Sequence, residues 1–485
     1  IQPELAPLED KLNQKLMALP FVHEKTDAAH QIYFRSVKSA LDLYREENIA
    51  IEAALNEEAQ QYGAISAAQS VDFEGQTLTM QQAALRLKEQ DEKLRKSIFD
   101  KMAEVRRKDR AQLDELFTSL IKKRHQLALN AGFDNFRDYK FAAMGRFDYT
   151  KADCFAFHEA IKTQIVPLVK EIQAQRLQKL GKTKFKPWDL DVDPEGKPAL
   201  KPFKDGNEML RGTIAMFERI DPYFGDCLRI MDQLGHLDLD SKPGKAPGGY
   251  NYPLYEIGVP FIFMNAAGQM SDVTTMVHEG GHAVHSFLAH PLSLSAFKEY
   301  PMEIAEVASM AMELFSMQHW QPFFDNEADL NRAIEHQLER TITIFPWIAI
   351  IDKFQHWVYT NPAHTIEQRT NEWQNIVKEF SSKTLNQSGL KEFRAIGWQR
   401  QLHLFEVPFY YIEYGIAQLG AIGMWMQYQK NPTQALENYM NALALGGTKT
   451  LPELYQTAGL EFNFSPVYVK NLMEFTNQEL EKLYH

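Results

Sequence analysis

Over the first 140 or so residues, apolar positions recur at threes and fours, the period of a helix that buries one face. From Leu94 the series runs through Ile98, Met102, Val105, Leu113, Leu116 and Leu120, and Asp109 interrupts it. Charged residues between them stand four apart in helix-supporting pairs, Glu89 with Lys93 and Glu104 with Lys108. NAGFDNF (130–136) then supplies a glycine stop and a turn. Long helices are therefore expected here. The basic run RRKDR (106–110) is expected to be a solvated helix face, because acids are interleaved around it.

Two stretches break this pattern. KTKFKPWDLDVDPEGKPALKPFKDG (182–206) holds four prolines and many charges, which excludes a continuous helix and predicts an extended loop or surface excursion. Residues 241–265 are rich in glycine and proline and end in PFIFMN (260–265), a short apolar run of strand character, followed by the turn AAGQ. A helix is expected to begin near Ser271 or Asp272, either a good N-cap, and to end before Pro291. Another is expected from Met302 to Gln318, and the chain after residue 301 reads mainly as helix. The expected fold is mainly α, with a small β-sheet beside the helix that follows PFIFMN.

Composition narrows the picture. The 485 residues are 45% hydrophobic and 24% charged, an ordinary globular balance that excludes disordered and fibrous classes. A formal charge of -12 argues against a nucleic-acid binder, which needs a basic surface to release counterions. Cys154 and Cys227 are the two cysteines, so no disulfide framework is expected, and the reading is buried or partly buried thiols in a reducing compartment. No apolar run approaches the roughly 18 residues of a membrane helix, and the start shows no signal-peptide pattern. A cytoplasmic protein with no membrane partner is expected.

The chemistry concentrates in MVHEGGHAVHSF (276–287). His278 and His282, four apart on one helix, point their imidazoles the same way and suit one metal ion. Glu279 projects about 100° around, placed to act on a water without ligating the metal. Catalytic zinc takes three protein ligands and leaves one position open. Glu306 is the candidate third ligand: its neighbours Ala305, Val307 and Ala308 imply a buried carboxylate that needs a partner. Glu303 competes, but an acid at a helix start is expected for capping alone. Glu313, two turns beyond Glu306, is placed to accept the second N–H of a ligand histidine and fix its tautomer. Gly280 and Gly281 each cost about 1 kcal/mol against alanine in a helix, and spacing alone accounts for neither.

MNAAGQMSDVTTMVHEGGHAVHSF followed by EIAEVASMAME resembles the thimet oligopeptidase and oligoendopeptidase F family of zinc peptidases. The likeness extends through HLFEVPFYYIEYGIAQ (403–418) and YMNALALGGTKTLPELYQTAGLEF (439–462), and covers residues from about 250 to 470. It implies one zinc ion per chain on His278, His282 and Glu306, a family glycine at Gly281, and short unfolded peptides as substrates. It also implies two helical lobes flanking a deep substrate channel, and His403, Tyr411 and Tyr414 facing the zinc, with Tyr410 the alternative to Tyr411. Family chains usually start further upstream, so a segment ahead of Ile1 is expected. The division expected is an N-terminal helical region, 1–145, and a catalytic region, 146–485.

On this reading Glu279 activates water as general base, a tyrosine hydroxyl donates to the developing oxyanion, and His403 holds substrate or assists. The run Pro260, Phe261, Ile262, Phe263, Met264 and Asn265 would let a substrate backbone pair as an added strand. The alternatives are a related zinc carboxypeptidase or dipeptidase, and a non-enzymatic scaffold with a structural metal. Structural zinc sites are usually closed by four ligands, often cysteines, and neither cysteine is near this motif.

Overall fold

The computed structural model describes residues 2–242, 245 and 248–484. Pro243, Gly244, Ala246 and Pro247, from the irregular stretch 241–265, lie outside the described residues, as do Ile1, the start ahead of which a segment was expected, and His485. Among the described residues the chain is mainly helical, with two small sheets. It divides into two compact units, each built from separated stretches of chain. The first comprises Ile1–Val22, Ser36–Ala199 and Thr343–Ile412; the second comprises His23–Arg35, Leu200–Ile342 and Glu413–His485. No helix among the described residues is long and apolar enough to cross a membrane.

In the first unit the periodic run forms the helices Glu92–Lys108 and Arg110–Asn130, and Asp109 marks the break between them. Ile98, Met102, Leu113, Leu116 and Leu120 are buried, and Leu94 and Val105 pack against the cluster that holds Ile98 and Met102. Exposed charges of RRKDR are satisfied by ion pairs, Lys108 with Glu104 at 3.6 Å and Arg107 with Glu392 at 3.1 Å. One expectation fails locally. Strands β1 (Ser70–Phe73) and β2 (Gln76–Thr79) form an antiparallel hairpin inside the region read as helix. Val71 and Phe73 alternate with exposed neighbours, a two-residue period too short to stand out between long helices.

Residues 182–199 contain only a short turn of 3-10 helix, Pro187–Asp189, yet they are not a loose surface excursion. Phe185, Trp188 and Val192 are buried, and the fully buried Asp189 is paired by Arg95 at 2.8 Å and Lys182 at 2.7 Å. Further along, helix α1 (Lys151–Ala160) runs directly into a π-helical segment, Ile161–Ile165, which packs on the helix Phe345–Thr360 of the same unit.

The second unit holds a three-stranded sheet of β3 (Leu237–Asp240), β4 (Gly249–Tyr252) and β5 (Phe261–Ala266), in the order β3-β5-β4. PFIFMN forms the strand expected, offset by one residue: β5 begins at Phe261 and leaves Pro260 outside. Its position corrects the pairing role assigned to it. Parallel β3 takes one edge of β5 and antiparallel β4 takes the other, so its backbone has no free edge for a substrate strand. Helix α2 (Met270–Ala289) packs on this sheet. It starts one or two residues before the expected caps. Asp272 still caps from inside the first turn, its carboxylate accepting the Gln269 and Ala267 N–H groups at 2.9 and 2.7 Å. Helix α3 (Met302–Ser316) follows and packs closely on α2, and α4 (Glu327–Thr343) comes next.

Candidate metal centre

The packing of α2 on its neighbours explains the double glycine. A Cβ at Gly281 would lie 2.6 Å from Ser309 Cα and 2.8 Å from the Ala308 carbonyl oxygen on α3, so only glycine lets the two helices approach this closely. At Gly280 a Cβ would lie 2.7 Å from the Phe217 ring, on the helix Gly206–Ile220. A ring can shift; helix backbone yields only with the whole helix. Gly281→Ala should therefore destabilise by about 1–3 kcal/mol and Gly280→Ala by less, read as midpoints of denaturant unfolding. Equal midpoints for the two variants would contradict this ranking.

That close approach brings three donors together. One donor atom each from His278, His282 and Glu306 lies within 4.8 Å of the other two. Glu306 Oε2 is 3.3 Å from His278 Nε2 and 3.8 Å from His282 Nε2, and the two rings meet nearly at right angles with centroids 4.9 Å apart. Ser309 Oγ donates to the Glu306 carbonyl at 3.1 Å and approaches its carboxylate at 3.4 Å. On the far side of His278, Nδ1 lies 2.7 Å from Glu313 Oε1, and Gln337 Nε2 donates to Glu313 Oε2 at 2.8 Å. A carboxylate facing Nδ1 keeps the proton there and leaves Nε2, turned toward Glu306, as the atom available to a metal. Glu303 is buried on the same helix but stands outside the converging group.

Electrostatics fit a cation at this point. Burial pushes the His282 pKa down to about 4, leaving a neutral imidazole with a free lone pair. Desolvation acts on the partly buried His278 too, but the Glu306 and Glu313 carboxylates outweigh that and hold it well above the usual histidine range. Those carboxylates call for positive charge, and two imidazoles with one carboxylate are a donor set that suits zinc, with one position left open. Glu279 is buried, its backbone carbonyl approached by Asn251 Nδ2 at 3.4 Å. Burial lifts its carboxyl to about 7, against the pull of His278. Gln337 and Ser309 escaped the sequence reading, since neither belongs to a motif.

The candidate tyrosines divide between the units. His403, Tyr410 and Tyr411 belong to the first, where the His403 ring lies 6.0 Å from that of Tyr410 and 4.8 Å from that of Tyr411. Gln401 Nε2 sits 2.7 Å from His403 Nδ1. Tyr414 belongs to the second unit, one turn along the same helix, Tyr411–Lys430. All four side chains are half-buried. Just ahead of them Phe409 has a φ of 69°, a left-handed conformation that is strained for a bulky residue. Gln355 Oε1 accepts its N–H at 2.6 Å and Arg146 donates to its carbonyl, which holds the turn in place.

Two histidines around a glutamate on one helix, facing a glutamate on the next in a mainly helical chain, make an arrangement suited to a metal-dependent hydrolase. Residues 85–474 match the model of Peptidase family M3, and the chain belongs to that family. It is 22% identical over 421 residues to an oligoendopeptidase F homolog of Borreliella burgdorferi, a match spanning 84% of this chain and 68% of that protein. It is 24% identical over 254 residues to the oligopeptidase PepF of Bacillus subtilis, 51% of this chain and 37% of that protein. The chain thus spans between 37% and 68% of the lengths of these two relatives. Among solved structures, a PZ peptidase A with an inhibitor is 27% identical, with a TM-score of 0.92 covering 99% of this chain and 85% of that one.

Proposed function

We propose that the chain hydrolyses internal bonds of short peptides, with His278, His282 and Glu306 holding one zinc ion and Glu279 acting as general base. The observation that carries this reading is the convergence of the three donor atoms within 4.8 Å, with Glu279 next to one of them in sequence. Zinc, when bound, supplies Lewis acidity to the substrate carbonyl and the attacking water. The Glu279 carboxylate takes the water proton and returns it to the leaving amine. Glu313, steadied by Gln337, keeps the Nδ1 proton on His278 and so fixes the direction of Nε2. Tyr411 or Tyr414 donates its hydroxyl to the oxygen that gains charge, and His403 holds the substrate or assists. Among the described residues no strand pairs with the outer edge of β4, and a substrate backbone adds there, not to β5. On this reading the catalytic region remains 146–485, to which all these residues belong.

A mixed peptide library read by mass spectrometry, with and without a chelator, tests the proposal. Chelator-sensitive cleavage inside peptides blocked at both ends is the expected result. Cleavage restricted to free C termini would move the reading to a carboxypeptidase or dipeptidase. The tyrosines add a finer expectation. Tyr411→Phe or Tyr414→Phe should lower kcat by about 10²–10³ with KM little changed, because the donated bond strengthens mainly in the transition state. Loss in Tyr410→Phe alone would shift the assignment by one residue. Full activity in all three variants would reduce these hydroxyls to packing groups.

A further inference from the structure

Cys154 and His158 stand four apart on α1, and Asp352 and His356 stand four apart on α5 (Phe345–Thr360), all within the first unit. Positions i and i+4 share a helix face, so two packed helices present a sulfur, two imidazoles and a carboxylate to one another. All four are buried, at 1%, 4%, 0% and 3% exposure respectively. One donor atom each from Cys154, Asp352 and His356 lies within 4.8 Å of the other two. Asp352 Oδ2 is 2.8 Å from His158 Nε2 and 3.2 Å from His356 Nε2.

Hydrogen bonding leaves this cluster unfinished. Asp352 Oδ1 and both ring nitrogens of His356 have no hydrogen-bond partner among the described residues, although His356 Nε2 stands 3.2 Å from Asp352 Oδ2. Buried polar atoms are normally paired, so this many open donor atoms at one point call for a missing partner. The backbone adds an independent sign. The chain enters its π-helical segment three residues after His158, and such segments are frequent at functional sites.

We propose that Cys154, Asp352 and His356 form a second site for a zinc-class divalent metal ion, with His158 orienting the Asp352 carboxylate through Nε2. Three buried donors including a thiolate make up the site, and soft sulfur with imidazole selects zinc or cobalt over calcium or magnesium. The metal–sulfur bond forms as the thiol proton leaves to solvent. The site clamps α1 to α5. It also lies beneath the strained turn, since the Phe409 ring packs edge-on against His356 at 5.5 Å.

Cobalt(II) separates this site from the candidate catalytic centre, which contains no sulfur. Protein produced with cobalt in place of zinc should show thiolate-to-cobalt charge-transfer absorption in the near ultraviolet. Metal analysis should return about two equivalents per chain, one for each site. Cys154→Ser should lose the band and about one equivalent, whereas Cys227→Ser should keep both. The parent spectrum needs no substitution, so a variant that fails to fold leaves the test intact. A cobalt-loaded parent protein without the band, or a band that survives Cys154→Ser, overturns the proposal.

Discussion

Glu279→Gln should retain the metal and lose peptide hydrolysis by about 10²–10⁴, the range that general acid–base catalysis supplies. The amide matches the carboxylate in size but cannot accept a proton from water. Glu279 is not one of the three converging donors, so metal content should match the parent after the same dialysis. The substitution also leaves packing nearly unchanged, since glutamine buries easily where a carboxyl already sits near neutrality. The measurement is kcat on a quenched fluorescent peptide, alongside metal content of the same preparation. Turnover within tenfold of the parent would remove Glu279 from the role of base.

Removal of Glu306 is expected to act one step earlier. Glu306→Ala takes away the carboxylate shared by His278 and His282, leaving two imidazoles to hold the ion. Affinity should fall by more than about 100-fold, the upper end of the cost of losing an outer partner, and activity should fall with it. Glu303→Ala, one turn earlier on α3 and outside the converging group, should leave metal content at the parent level. Chelator competition on the two variants decides between them. Unchanged metal in the first and depletion in the second would reverse the assignment.

The legible parts of this molecule are those whose partners lie close in sequence. The four-residue spacing of His278 and His282 and the apolar neighbours of Glu306 can be read from single helices. The break at Asp109 and the strand at PFIFMN are equally local. What escaped depends on distant contacts. The reason for Gly280 is the ring of Phe217, on a helix that no motif connects to it. Gln337 becomes meaningful only once α4 brings it to Glu313. The central place of β5 rests on two four-residue strands, each too short to declare itself. Cys154 reads as an ordinary buried thiol until the fold sets Asp352 and His356 against it.

The first unit resumes at Thr343 only after the intervening chain, Leu200–Ile342, has gone to the second. A ribosome adding about 5–20 residues per second needs on the order of 10 s to make that insertion. During this interval Phe157, Ile161 and Ile165 have no α5 to cover them, and they end fully buried. The nascent chain therefore leaves this apolar helix face uncovered by α5 until the residues from Thr343 onward are made.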